Sequence, residues 1–588
     1  MRRLKSPYVL VPLAVLILAG WFAWQLFGPS PAIIISRETT FITEPLRADG
    51  LPDYERYWLD RMRAGVTPEN NAAVLFWQAM GPMEQKLEDF ELICREIGVK
   101  KLPPTEEFLQ EADGPEWQRR LQEWLTAAGV ADEAGVEVYI DSEYHFHKLS
   151  LVGMAIEFTD QLKERPWTRA EVPLMGDWID QNTNALERIM AGSQRPRFYS
   201  PSPNFLNDTA DSLFSMSFSE IVAQRAVARS LAIRAMLGLG ENRYEQAWED
   251  TLAIYRWAQL VGAGYTLIDQ LIMFSLESSA HLATLAILDS TDLSPALAKK
   301  ILSDLSRPRR VRTSLAECFN QGERLFGLSS VDDPSLVDDL SDIPPVLLTS
   351  LDWNIPLRRL NRAYDAISEA AKQTNWQLRR RASVEFETEH MLFQVKSRLQ
   401  KITAVLGRQR RSELVADLMV SVLMPALSAA IDAETRADSQ LALVRLAAAL
   451  AVYRSEQGEY PDSLDSLLPS VPAAALIDLY QEKPYVYRRT SNGYLLYSPG
   501  PNGRDDAGCN EVMGVYKGYS TSIEVETLHQ LLDSDAPVEL SPEEQDNLDP
   551  LELEQMEARV EIAGRIPADA DDIAIRMPRP KLVLPVKR

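Results

Sequence analysis

Tyr8 to Phe27 reads YVLVPLAVLILAGWFAWQLF, 20 residues without a formal charge. A helix of that length, rising about 1.5 Å per residue, covers the roughly 30 Å of a bilayer's hydrocarbon core. Arg2, Arg3 and Lys5 precede the run, and Trp21 and Trp24 lie near its far end. Basic residues on one flank hold a short N-terminus in the cytoplasm, and tryptophans suit the headgroup layer at the exit. A cleaved signal peptide has a shorter apolar stretch and small residues at its cleavage site. GWFAWQLFG places aromatic side chains there, and no cysteine follows to accept a lipid. The expectation is an uncleaved, single-pass anchor in a bacterial inner (cytoplasmic) membrane, with the bulk of the chain periplasmic or otherwise extracytoplasmic.

The remaining chain, out of 588 residues, is too long for one ordinary core and suggests about three to four folding units. Apolar residues at 46% and charged residues at 25% give the balance of a globular protein. A net charge of -24 argues against nucleic acid as a partner, because a polyanion needs a surface that neutralises phosphate. Cys94, Cys318 and Cys509 are far apart and form no CxxC pair, so neither a zinc knuckle nor a disulfide framework is indicated.

Residues 1–7 form the cytoplasmic N-terminus, 8–27 the membrane helix and 28–50 a Pro-containing linker. Residues 51–200 read as helices broken by Pro and Gly, with Trp58, Trp77, Trp117 and Trp124 as core or helix-contact residues. RPRFYSPSPNFLN, from Arg195, has the proline density of a boundary. Residues 201–410 are again helical. There a helix ends at Gly238 or Gly240, and a second begins near Tyr244. The second presents Tyr244, Ala247, Trp248, Thr251, Leu252, Tyr255 and Ala258 on one face. This αα-hairpin resembles the tetratricopeptide type, without a clean repeat at that period, and the helices from about 264 to 306 are expected to stack on it as solenoid-like layers.

No GxSxG, HExxH, SxxK or phosphate-binding glycine loop occurs. The GLG at Gly238 to Gly240 follows a helix, so it reads as a helix stop. In EYHFH, the side chains of Glu143, His145 and His147 would share one face of a strand, as a two-histidine, one-carboxylate set, and would diverge on a helix. An ordinary partly exposed pair of histidines is the competing and preferred reading. His281 lies on an apolar helix and reads as a core residue. His390 and His529 lie among acidic residues.

From Leu414 the chain runs LVADLMVSVLMPALSAAIDAETRADSQLALVRLAAALAVYRSEQGEYP, an apolar stretch with Pro425 that passes into an alanine-rich helix, then Gly458 and a Tyr460-Pro461 turn. KPYVYRRTSNGYLLYSPGPNGRDDAG follows, with Tyr485, Tyr487, Tyr494 and Leu496 alternating around a Ser491-Asn492-Gly493 turn, the pattern of a β-hairpin. That order resembles type IV pilins and type II secretion pseudopilins, the type G class above all. The resemblance implies one long helix against a small antiparallel sheet, with Tyr485, Leu495, Leu496 and Ile573 facing that helix or the sheet. It also implies a calcium loop before the last strand. Its opening half here is Asn502, Asp505 and Asp506, and its closing half Asp569, Asp571 and Asp572, separated by an acidic insertion at about 509–568. Within it, residues 510–561 carry fourteen acidic residues against two basic. Calcium suits such a set because it takes six to eight oxygen ligands in adaptable geometry. The chain departs from the family in that the helix is internal and interrupted by Asp417, so assembly into a filament is not implied.

The expected fold class is therefore mainly α: an N-terminal transmembrane helix, a helical, solenoid-like ectodomain, and an α+β pseudopilin-like module over 411–588. The expected function is a membrane-anchored extracytoplasmic scaffold or binding protein, with the membrane as one partner, protein partners on the helical region, no nucleic acid and no catalysis. The alternatives are a cell-envelope hydrolase with its site between the helical layers, or an accessory of a secretion or pilus-type machine.

Overall fold

The computed structural model describes residues 7–505 apart from 84, 113, 128–135, 141–145, 150, 207–212, 214–218, 308–311, 332–349, 392–406 and 425–426, together with 508 and 572–579. Among the described residues helix accounts for 64% and strand for 5%, which makes the fold mainly α with one small antiparallel sheet near its end.

Helix α1 (Pro7–Phe27) leads into an extended linker. The first region contains α2 (Tyr54–Arg63), α3 (Ala72–Met80), α4 (Leu87–Glu96), α5 (Pro115–Ala127), a hairpin of β1 (Val136–Ile140) and β2 (Phe146–Leu149), then α6 (Leu151–Leu162), α7 (Pro173–Gln181), α8 (Thr183–Ser193) and the short α9 (Pro203–Leu206). Next come α10 (Ser219–Gly240), α11 (Tyr244–Val261), α12 (Leu267–Asp289) and α13 (Pro295–Ser306). The chain continues with α14 (Leu315–Glu317), a π-helical turn (Cys318–Glu323), α15 (Arg324–Ser329), α16 (Asn354–Ala371), α17 (Trp376–Met391), α18 (Arg408–Leu423) and α19 (Leu427–Gln457). Strands β3 (Val486–Arg489), β4 (Tyr494–Ser498) and β5 (Ile573–Met577) complete it.

The α10–α11 hairpin forms where its glycines and helical period place it. Gly238 passes close to Ala247, and a Cβ on Gly240 would sit 2.0 Å from the carbonyl oxygen of Trp167. Gly240 therefore permits a close approach that no side chain would allow, and Asn242 turns the chain at φ 60°. Ala247, Trp248, Thr251, Tyr255 and Ala258 are buried, and α12 packs on both members of the pair. Inside the hairpin Arg234 grips the buried Asp250 through two contacts, one of them Nε to Oδ2 at 3.0 Å. The Pro-rich segment after Arg195 is knit to α3: Ala72 donates to the Arg197 carbonyl at 2.7 Å, and the Asn71 side chain bonds both the N–H and the carbonyl of Tyr199. Trp257 fills the joint, touching Phe76 and Phe198 and donating to the Ile189 carbonyl.

The long helix expected from Leu414 is two helices. Met424 takes extended backbone (φ -81°, ψ 117°), ending α18 before Pro425. A proline ring crowds the preceding residue out of the α region, so the break falls one residue ahead of it. Helix α19 then buries an alanine-rich face against α12, α13 and α17, and touches β4 and β5. The sheet has the order β3-β4-β5, wholly antiparallel, with Tyr487 opposite Leu496 and Leu496 opposite Ile575. Tyr485, Leu496 and Ile573 are buried as expected. Leu495 takes the other face, as alternation along a strand requires, and lies against Gly508. Gly493 at the hairpin turn has no room for a side chain, since a Cβ would lie 1.7 Å from the Met577 carbonyl oxygen. Nearly all the buried apolar side chains among the described residues, from Ile42 to Met577, form one continuous cluster.

Candidate functional site

Of the expected metal-loop residues, Asn502, Asp505 and Asp572 fall at the rim where β4 ends and β5 begins. Asp572 is fully buried and accepts from the Gly508 N–H at 2.7 Å, and Arg576 donates to the Gly508 carbonyl at 2.6 Å. These bonds bring the opening and closing segments together across the insertion. Asp505 accepts from the Tyr497 hydroxyl at 2.6 Å, with Arg488 3.8 Å away. Burial, then the bond to Asp505, pushes the Tyr497 hydroxyl upward, which keeps it a donor. The Asn502 side-chain oxygen accepts from the Arg504 N–H at 2.7 Å, closing a local turn. Asp506, Asp569 and Asp571 lie outside the described residues. The donor set is hard oxygen, the chemistry calcium takes, but Asn502, Asp505 and Asp572 each have a protein donor. Among the described residues no group of three His, Cys, Asp or Glu side chains could hold a metal ion.

Glu143 and His145 of EYHFH also lie outside the described residues, while His147 is placed on β2 opposite Tyr139. His281 is buried in α12 with its ring against Tyr255. Cys94 and Cys318 are buried free thiols, and Cys509 is outside the described residues. Burial, aided by Glu91, pushes the Cys94 thiol up to about 11, and burial pushes Cys318 up as well, so both stay protonated and inert.

Clefts open on the helical body, among them two lined by described residues. The first is lined by apolar side chains, including Trp58, Phe198, Phe205 and Leu260, with Glu220 and Asp269 among its walls. Asp269 is committed locally. Its Oδ2 accepts from the N–H and hydroxyl of Thr266, while its own N–H bonds that hydroxyl, a capping box that starts α12. Burial raises its carboxyl to about 6 against those stabilising bonds. Because the folded value lies above the ordinary carboxylate range, Asp269 favours the folded state while protonated, and that contribution is lost as pH rises from about 4 through about 6. Asp269→Asn removes this titration. Its stability relative to the parent should rise by about 2–3 kcal/mol between pH 4 and pH 7, read from denaturant melts at each pH. A constant difference would show that Asp269 does not titrate there.

The second cleft, about 1000 Å³ counting the solvent in its mouth, is lined by Arg37, Arg324, Arg358 and Arg362, with Glu38 and Asp365, and with Phe41, Asn320 and Asn361. Three stretches distant in sequence build it. The π-helical turn, which adds a residue to the helical turn, sets Asn320 beneath Arg324. Arg324 is 1% exposed and fully engaged: Nε to the Asn320 carbonyl at 3.1 Å, Nη1 to Asn361 Oδ1 at 3.0 Å, Nη2 to Asp365 at 2.6 Å. Its guanidinium lies 4.5 Å over the Phe41 ring. Asn361 in turn donates to the Thr39 carbonyl at 2.6 Å, and Asn354 to that of Ala32 at 3.0 Å, so α16 carries the linker along its side. Sequence reasoning missed this cleft. Its only local signal is the Arg358, Arg362 pair one turn apart in LRRLNRAYD. Among the described residues no histidine lines either cleft. Comparison with family models, with curated proteins and with solved structures finds no match for this chain.

Proposed function

We propose that this protein is a single-pass, membrane-anchored scaffold or binding protein, with its N-terminus in the cytoplasm of a bacterium and its body outside the inner membrane. The observation that carries the reading is the exposure of α1 on every side. Val11, Val15, Leu16, Ile17, Leu18, Trp21, Trp24 and Phe27 are all more than half exposed. At about 1.5–3 kcal/mol for each large apolar side chain, leaving that set in water costs more than about 10 kcal/mol, and a bilayer removes the cost. Two other helical stretches are apolar and long enough to span, Leu267–Asp289 and Arg408–Gln457, but their most apolar windows are 61% and 50% buried inside the protein. The exit end of α1 is fixed to the body. Gln25 accepts from the Arg408 N–H at 2.9 Å through its side chain and from Arg411 at 2.5 Å through its carbonyl. Retention of the chain in alkali-washed membranes is the direct test.

A binding role is favoured over hydrolysis by the cleft walls, one apolar and the other dominated by guanidinium groups. The C-terminal part is read as a pseudopilin-like module retained inside a larger protein. The order of helix, Tyr460-Pro461 turn, hairpin and last strand supports this, and the packing of α19 against α12, α13 and α17 buries most of that helix inside the protein. Calcium belongs to the reading at the rim, where Gly508 meets Asp572. Calcium at about a hundred times its dissociation constant should stabilise the parent by about 2–3 kcal/mol relative to chelator. The Asp505→Ala, Asp506→Ala double variant should lose that increment. Because Asp505 also holds Tyr497, the informative quantity is the calcium-induced change in melting temperature rather than its absolute value. No increment in the parent, or the same one in the variant, refutes calcium at this rim.

A further inference from the structure

We infer that the cleft formed by Arg37, Arg324, Arg358 and Arg362 binds a phosphate-type oxyanion. The inference holds whether or not α1 lies in a bilayer. The chain as a whole carries -24, so four guanidinium groups converging on one cleft against two carboxylates oppose the general trend of the surface. Asp365 is occupied by Arg324, and Arg324 has all its nitrogens on protein acceptors. That buried guanidinium is a fixed floor, locked by Asn320, Asn361 and the Phe41 ring, rather than a mobile surface charge.

Three cations remain for a ligand. Arg358 is half-buried, Arg362 and Arg37 are exposed, and among the described residues none of the three forms an ion pair. Arg358 and Arg362 stand one helical turn apart on α16, so they face the same opening. The remaining carboxylate, Glu38, offsets only one of them. Guanidinium forks match the paired oxygens of phosphate and gain most where the approach is partly desolvated. A polar, open cleft suits a hydrated anion rather than an apolar ligand.

Placement gives the anion two sources. Only nine residues separate Phe27, the end of α1, from Arg37, a reach of at most about 35 Å for extended chain. An anionic lipid headgroup is therefore one source, and a free phosphorylated solute the other.

The test is a calorimetric titration of the full chain in neutral detergent micelles at low salt, with inorganic pyrophosphate and with short-chain phosphatidylglycerol as separate probes. At least one should bind saturably. The Arg358→Gln, Arg362→Gln double variant, both residues lying outside the locked floor, should bind that probe roughly tenfold more weakly or worse while melting at the parent temperature. Added salt should weaken parent binding. Tighter binding of phosphatidylglycerol assigns the site to a headgroup, and tighter binding of pyrophosphate assigns it to a solute. Saturable binding of neither probe, or equal binding by parent and variant, overturns the inference.

Discussion

Glu434→Gln is expected to destabilise the protein by about 3–5 kcal/mol, the usual range when one member of a buried ion-pair network is removed. Glu434 sits on α19 with its side chain 7% exposed, and its two oxygens accept from Arg312 at 2.7 Å and from Arg379 at 2.5 Å. The first arginine belongs to the segment after α13, the second to α17. One carboxylate thus ties three stretches of chain. Burial alone would lower the Arg312 guanidinium, but Asp438, Glu434 and Glu277 outweigh it and hold it up. A neutral amide keeps the shape and leaves two guanidinium groups short of charge in a place water reaches poorly. Asp438→Asn is the control. Its side chain is 38% exposed, so solvent can compensate and the loss should stay near 1 kcal/mol. Combining Glu434→Gln with Arg379→Gln should cost less than the two changes added, because the second removes a charge the first left unpaired. Denaturant melts of the parent, the three single variants and the double variant provide the measurement. A loss below about 1 kcal/mol for Glu434→Gln would mean that the network is solvated in practice.

What could be read in the sequence follows the range of the interactions involved. The α10–α11 turn was legible because glycines stop helices locally and the buried face of α11 repeats with the helical period. The hairpin at Ser491 to Gly493 was legible because its turn residues and the alternation of its strands are local signals too. Gly493 carries more than its turn, since β5 passes against it from a segment 80 residues further on, and nothing local signals that. Pro425 was visible, yet the resemblance to pilins favoured a continuous helix over the local rule that a residue before proline leaves the α region. The local rule prevailed at Met424. The acidic set was legible by composition alone. Asp572 is singled out within it by its bond to the Gly508 N–H, 64 positions away. The arginine cleft left only the Arg358, Arg362 spacing as a trace in the sequence, because Arg37, Arg324 and Arg358 come from three separate stretches.

The second large effect concerns the anchor. Three basic residues precede α1, and its described apolar side chains from Val11 to Trp24 face outward all round the helix. Nothing on such a surface distinguishes a protein-facing side from a solvent-facing one, which is the pattern of a helix surrounded by lipid. Leu16→Arg combined with Ile17→Arg puts two guanidinium groups near the middle of the helix, each disfavoured in a bilayer by about 2.5–3.5 kcal/mol. Removal of residues 1–28 abolishes the anchor outright. Membranes from cells expressing each form, washed in alkaline carbonate and sedimented, provide the measurement. The full chain should remain in the pellet, the shortened chain should be released completely, and the double-arginine chain should be largely released. Full-length chain washed into the supernatant alongside the shortened one would contradict a membrane-spanning α1 and, with it, the anchored binding protein proposed for this fold.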